Sequence, residues 1–156
     1  MGGLPPQGFG ALTPFLSALI PEHDLVIHNL AARPEWIGAP GTYVRTNPGN
    51  SNLFPINCAG DSTSYYPDIF RVSPHPSNPG QMFVSHVGEV ETVETVNADH
   101  AYRHWDLYAK CGAFTLYVPA GYWLRAMDIC RTLSIAPRIM EWRFVEVATL
   151  KVLLIE

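Results

Sequence analysis

Apolar and polar positions alternate most cleanly over residues 89–97. Val90, Thr92, Glu94 and Val96 fall on one side there, and Glu89, Glu91, Val93 and Thr95 on the other. A period of two belongs to a strand, and two valines opposite a mostly carboxylate face predict a half-exposed antiparallel strand. Shorter β-branched and aromatic runs predict further strands at 25–30, 42–46, 68–73, 81–87, 113–118, 139–148 and 150–155. Gly88, between two of these runs, reads as a bulge or tight bend. Strands at this spacing, separated by Pro/Gly/Asn/Ser turns, predict a mainly β single domain, an antiparallel β-sandwich or jelly roll.

Helical spacing is visible in three places. Leu12, Phe15, Leu16 and Leu19 share one face behind Thr13 as a cap and Pro14 at a first helical position, which predicts a short N-terminal helix ending before Pro21. Over 98–110, Asn97 is a cap candidate, and Ala101, Tyr102, Trp105 and Tyr108 fit one helical face. The same stretch read as a strand turns Trp105, Leu107 and Ala109 inward and enters the 113–118 strand through a short hairpin loop containing Gly112. We take the hairpin reading, and leave 121–133 open between strand and helix. An α+β fold with helices near 98–110 and 121–133 is therefore the alternative. The chain divides into an irregular arm with a short helix at 1–24 and a β domain at 25–156, which carries a Pro/Gly-rich loop at 47–67. Leu53, Phe54, Ile56, Tyr65 and Tyr66 make that loop too apolar for a solvated linker, so it is expected to lie against protein.

Composition adds constraints. Of 156 residues, 47% are apolar but only 15% charged, against about 25% in ordinary globular chains. Sparse charge with abundant aromatic rings resembles the make-up of covered surfaces. A net charge of -4 argues against nucleic acid, whose binding calls for a basic stripe. No apolar run is long enough for a membrane span. Cys58, Cys111 and Cys130 show no paired spacing, which predicts reduced thiols and a reducing, cytoplasmic compartment, with incorporation in a virion as a further destination.

Chemistry-bearing motifs are few. No Gly-x-Ser-x-Gly elbow or phosphate-cradling glycine loop occurs. His100 and His104, four apart, face the same way on a helix or a strand and could chelate a metal. His86, Glu89, Glu91 and Glu94 lie near them in sequence without a recognised ligand spacing, so no metal or cofactor site is expected. His100 and His104 followed by Tyr117-Val118-Pro119-Ala120-Gly121 resemble the cupin pattern over about 25 residues. That resemblance implies a jelly-roll shape. It departs where a further cupin histidine should stand, at Tyr122, Trp123, Leu124 and Arg125.

These features lead us to expect a noncatalytic, homo-oligomeric structural protein docking on a larger assembly. Its most concrete form is a virion component such as a capsid cement, decoration or tail accessory protein. Leu12, Phe15, Leu16, Trp36, Phe54, Tyr65 and Tyr66 are the contact residues this reading selects. The alternatives are a small-ligand or carbohydrate-binding β module with aromatic loop residues at its mouth, and a jelly-roll metalloenzyme using His100 and His104.

Overall fold

Residues 21–49, 51–58, 62–148 and 150–156 are described by a computed structural model. Six strands, β1 (Tyr43–Thr46), β2 (Ile69–His75), β3 (Asn78–Val90), β4 (Ala113–Pro119), β5 (Arg138–Val147) and β6 (Leu150–Ile155), form one sheet in sequential order. The fold is mainly β, the sheet curling into a half-barrel with a few short helices. β1–β2, β2–β3 and β5–β6 are antiparallel, whereas β3–β4 and β4–β5 are parallel. The sheet is thus mixed, which corrects the expectation of a purely antiparallel one. Parallel neighbours need a crossover, and helices supply it. α3 (Ala98–Arg103) and α4 (Trp105–Tyr108) lead from β3 to β4, and α5 (Trp123–Leu133) leads from β4 to β5. The hairpin expected around Gly112 is therefore absent, because 98–110 is the crossover. Asn97 caps it as its sequence suggests, its Oδ1 accepting from His100 N at 2.9 Å.

Among the described residues, two further helices, α1 (Glu22–Ala31) and α2 (Pro34–Ile37), precede the sheet. α1 replaces the strand expected at 25–30, since a short apolar run does not by itself distinguish a strand from a buried helix. Glu22 and Asp24 favour the helix by placing negative charge in its first turn. Leu25, Val26, Ile27 and Leu30 are all buried. The expected helix within 13–20, with Leu12, Phe15 and Leu16, lies outside the described residues.

Alternation along β4 divides the core. Leu116 and Val118 pack in one cluster with Phe70, Val87, Ala101, Trp105, Tyr108, Ala126 and Cys130, which puts α3, α4 and α5 on that face. Tyr117 belongs to the other cluster, with Ile69, Val90, Trp142 and the buried side chains of α1 and α2. Trp36 of α2 is only 1% exposed, and its Nε1 donates to the Tyr117 hydroxyl at 2.9 Å. It is a core residue, and so is corrected from the contact set read from the sequence.

β3 runs unbroken through Gly88 and ends at Val90, so the alternation over 89–97 is not that of a strand. Beyond β3 the chain turns, with Thr92 N donating to Thr95 Oγ1 at 2.8 Å. The carboxylates expected on a solvated face are buried instead. Gly88 marks neither bend nor bulge: a Cβ there would come within 2.7 Å of both Ile69 Cγ2 and Trp36 Cζ2, so glycine makes room for the indole. The register shifts fall opposite Arg71/Val72 and Pro74/His75 of β2, where the unpaired residues, Ser85 and those between Asn78 and Met82, belong to β3.

Loop 47–67 lies against protein as expected where it is described. The Asn47 amide donates to the carbonyls of Phe54 and Pro67 at 2.9 and 2.8 Å, and Ile56 joins the core beneath α3 and α4. A disulfide joins Cys58 of this loop to Cys111 just after α4, with Cα atoms 4.7 Å apart. This corrects the expectation of unpaired thiols; partners 53 residues apart leave no spacing motif. Cys130 is free and buried. Among the described residues, no helix is long and apolar enough to cross a membrane.

Gly88→Ala is expected to destabilise the fold by about 1–3 kcal/mol through overpacking. Gly80→Ala, whose Cβ would meet only Asn78 Oδ1 at 3.7 Å, should stay within about 0.5 kcal/mol. Urea denaturation of both variants checks the difference.

Candidate metal centre

The carboxyl end of β3 carries Glu89 and leads directly into Glu91, and the β2–β3 register of Ile69 with Gly88 brings Asp68 alongside. Asp68 and Glu89 lock across the strands. Val90 N donates to Asp68 Oδ2 at 2.8 Å, and Asp68 N donates to Glu89 Oε2 at 3.2 Å. Glu91 is 1% exposed and held on several sides. Its backbone N donates to Tyr117 O at 2.8 Å, its carbonyl accepts from Trp142 Nε1 at 3.1 Å, and its Oε1 accepts from Trp105 Nε1 at 2.5 Å. Its other carboxylate oxygen, Oε2, is buried and has no hydrogen-bond partner among the described residues.

The crossover helices deliver the histidines. His100 sits in α3 and His104 where α3 gives way to α4, and four-residue spacing stacks their rings with centroids 4.3 Å apart. His100 Nε2 lies 3.3 Å from Glu91 Oε1, and His104 Nδ1 lies 3.8 Å from Glu89 Oε1. One donor atom from each of Glu89, His100 and His104 falls within 4.8 Å of the others. From the opposite side α1 supplies His23, whose Nε2 is 3.2 Å from Asp68 Oδ2 and whose Nδ1 is 2.9 Å from Asp24 Oδ1. Asp24 Oδ1 also accepts from Gly49 N at 2.7 Å, anchoring the loop as a wall. These groups surround a cleft of about 270 Å³, with Asn52 and Tyr66 also lining it.

Burial pushes the Glu89 carboxyl well above its usual range, and the neighbouring charges of Asp68 and Glu91 push the same way. Burial also raises Asp68, although His23 opposes it. The Tyr108 phenol is raised by burial and by the same three carboxylates. For His23, burial works against the charged form, but its hydrogen bonds and charge interactions with Asp68 and Asp24 win and lift it to about 9. His104 is lowered by burial and then by His100, which keeps its imidazole neutral and able to donate a lone pair.

A divalent cation fits this arrangement. Two imidazoles and a carboxylate are an ordinary donor set for zinc, manganese or iron. Bonds of about 2.0–2.2 Å place ligand atoms roughly 3–3.5 Å apart, so side-chain rotations of an ångström or so suffice to close the triad. The added positive charge would offset the mutual repulsion of the carboxylates and give Glu91 Oε2 a favourable neighbour.

Of the side chains singled out from sequence, His100 and His104 meet here and Tyr66 lines the cleft. Phe54 is exposed elsewhere on the loop, and Tyr65 is half-buried against the helix-side core. Glu89 and Glu91 were legible only as sequence neighbours of the histidines, while Asp68 and His23 gave no local signal. After Pro119-Ala120-Gly121 the chain enters α5 rather than another strand, so the cupin-like stretch does not carry cupin architecture. Compared with protein-family models, curated proteins and solved structures, the chain matches none of them.

The raised His23 gives a pH signature. A group lifted from 6.5 to about 9 on folding contributes stability that is complete below its unfolded value and lost as pH rises through its folded one. Wild type should therefore exceed His23→Gln in stability at pH 6, and the gap should close by pH 10, as read from urea midpoints at both pH values.

Proposed function

We propose that the chain is a metal-dependent hydrolase, its divalent cation held by Glu89, His100 and His104. The observation that carries this reading is the convergence of three donor atoms within 4.8 Å beside a cleft that Glu91, Asp68 and His23 also line. Three protein ligands leave coordination positions for water and substrate, as catalytic sites require and closed structural sites do not. A cation held by Glu89, His100 and His104 would supply Lewis acidity to the scissile group and an acidified water.

The chain's own residues supply the rest. Glu91, fixed by Trp105 and lining the cleft, accepts the proton of the attacking water. His23, kept protonated by Asp68 and Asp24, donates a proton to the leaving group from the other wall. His23 is fit for the acid role because Asp68 and Asp24 lift it to about 9. Hard cations at carboxylate-rich sites commonly complete their coordination with substrate phosphate. A phosphoester is accordingly the substrate class we assign, its charge tolerated only once the metal offsets the carboxylates.

A homo-oligomeric assembly role is a second reading, supported by the outward-facing Tyr102 and Leu124, 67% and 66% exposed. Its virion form rests on composition alone.

The test uses protein stripped with EDTA and returned to Mn²⁺ or Zn²⁺. At a hundredfold excess over Kd the ion should raise Tm by roughly 5–10 °C, and hydrolysis of bis(p-nitrophenyl) phosphate should require it. Glu89→Gln and His104→Ala are expected to cut the rate at least about a hundredfold. A Tm indifferent to both ions would overturn the metal site. Ion binding without turnover of phosphoesters, while carboxyl esters are cleaved, would overturn the substrate class.

A further inference from the structure

We infer a second ligand site, separate from the metal centre, that takes a small planar aromatic anion such as an aryl carboxylate. It lies at the β1 end of the sheet. The register of Tyr43 with Val72 and Arg45 with Phe70 puts Tyr43 and Arg45 on the same face as Phe70 and Val72. Residues 54–57 of the pinned loop form the opposite wall. The groove between them encloses about 630 Å³, inside the range of about 300–1,000 Å³ usual for small-molecule sites. Tyr43, Phe54, Met82 and Phe83 line it and are exposed, so the groove offers flat apolar surface to solvent.

Arg45 makes the chemistry specific. Its guanidinium carbon lies 4.8 Å from the Tyr43 ring centroid and 5.1 Å from that of Phe54, two cation–π contacts that hold the planar group in the groove. Among the described residues no carboxylate pairs with it. Among the described residues the groove lining contains no acidic side chain, its other polar members being Asn57 and Gln81. A guanidinium fork without an anion, set between aromatic rings, matches a carboxylate bidentately while the rings receive the ligand's flat faces. A neutral ligand would gain nothing from that charge, and the contrast with the acidic cleft keeps the two sites chemically apart.

The experiment is calorimetric titration of the full chain with 2-naphthoate and with neutral 2-naphthylmethanol. Naphthoate is expected to bind with a submillimolar Kd, unchanged by EDTA or by Glu89→Gln. Arg45→Gln, at an exposed position, should weaken naphthoate at least tenfold and leave naphthylmethanol unaffected, while Phe54→Ala should weaken both. No naphthoate binding, equal binding by wild type and Arg45→Gln, or loss with Glu89→Gln would each overturn the site. So would light scattering that shows Phe54→Ala dissolving a dimer while naphthoate leaves that dimer intact, since the occupant would then be a second copy of the chain.

Discussion

Three carboxylates sharing one buried corner set the terms for the rest of this molecule. An unpaired buried charge is among the costliest features a fold can carry. Asp68, Glu89 and Glu91 nevertheless meet where β2 begins and β3 ends, all of them buried. The backbone answers part of this, through Val90 N to Asp68 and Asp68 N to Glu89. Side chains from distant elements answer more: His23 from α1 and Trp105 from α4. One oxygen of Glu91 has no partner among the described residues. Two imidazoles stand beside the corner, and a cation held as proposed above would complete it.

The mixed sheet explains why these groups can meet. Parallel pairing of β3 with β4 requires the chain to leave the carboxyl end of β3 and cross over the face of the sheet. In open sheets with parallel strands, ligand sites gather outside those carboxyl ends. The crossover here passes the acidic corner and presents His100 and His104 to it. Its end is tied by the Cys58–Cys111 disulfide to the loop whose Gly49 and Asn52 wall the cleft. Helix, loop and strand end are thereby held against one another around the site.

Much of the sheet was legible in the sequence. The β-branched runs of β1, β2, β4, β5 and β6 fall where the pattern predicts strands, because alternation and turn residues act locally. Leu25–Leu30 misled because a helix buried on one side presents the same short apolar run as a strand. Residues 89–97 misled more instructively. Their carboxylates read as a solvated face, yet Glu89 and Glu91 are inward, held by Asp68 N and Trp105 Nε1, partners distant in sequence that leave no mark on the local pattern. The histidine pair was visible from its spacing. Glu89, the third donor of the proposed site, had no recognised interval from the pair, since strand end and crossover helix meet only in three dimensions. Asp68, His23 and the disulfide partners were hidden for the same reason.

The most direct test of a cation-completed corner is anomalous diffraction from crystals grown with Mn²⁺. The account predicts an anomalous peak within about 2.0–2.3 Å of donor atoms from Glu89, His100 and His104, on the cleft side facing Glu91. A corner without such a peak at saturating ion, with the free Glu91 oxygen paired instead to a protein donor, would contradict it.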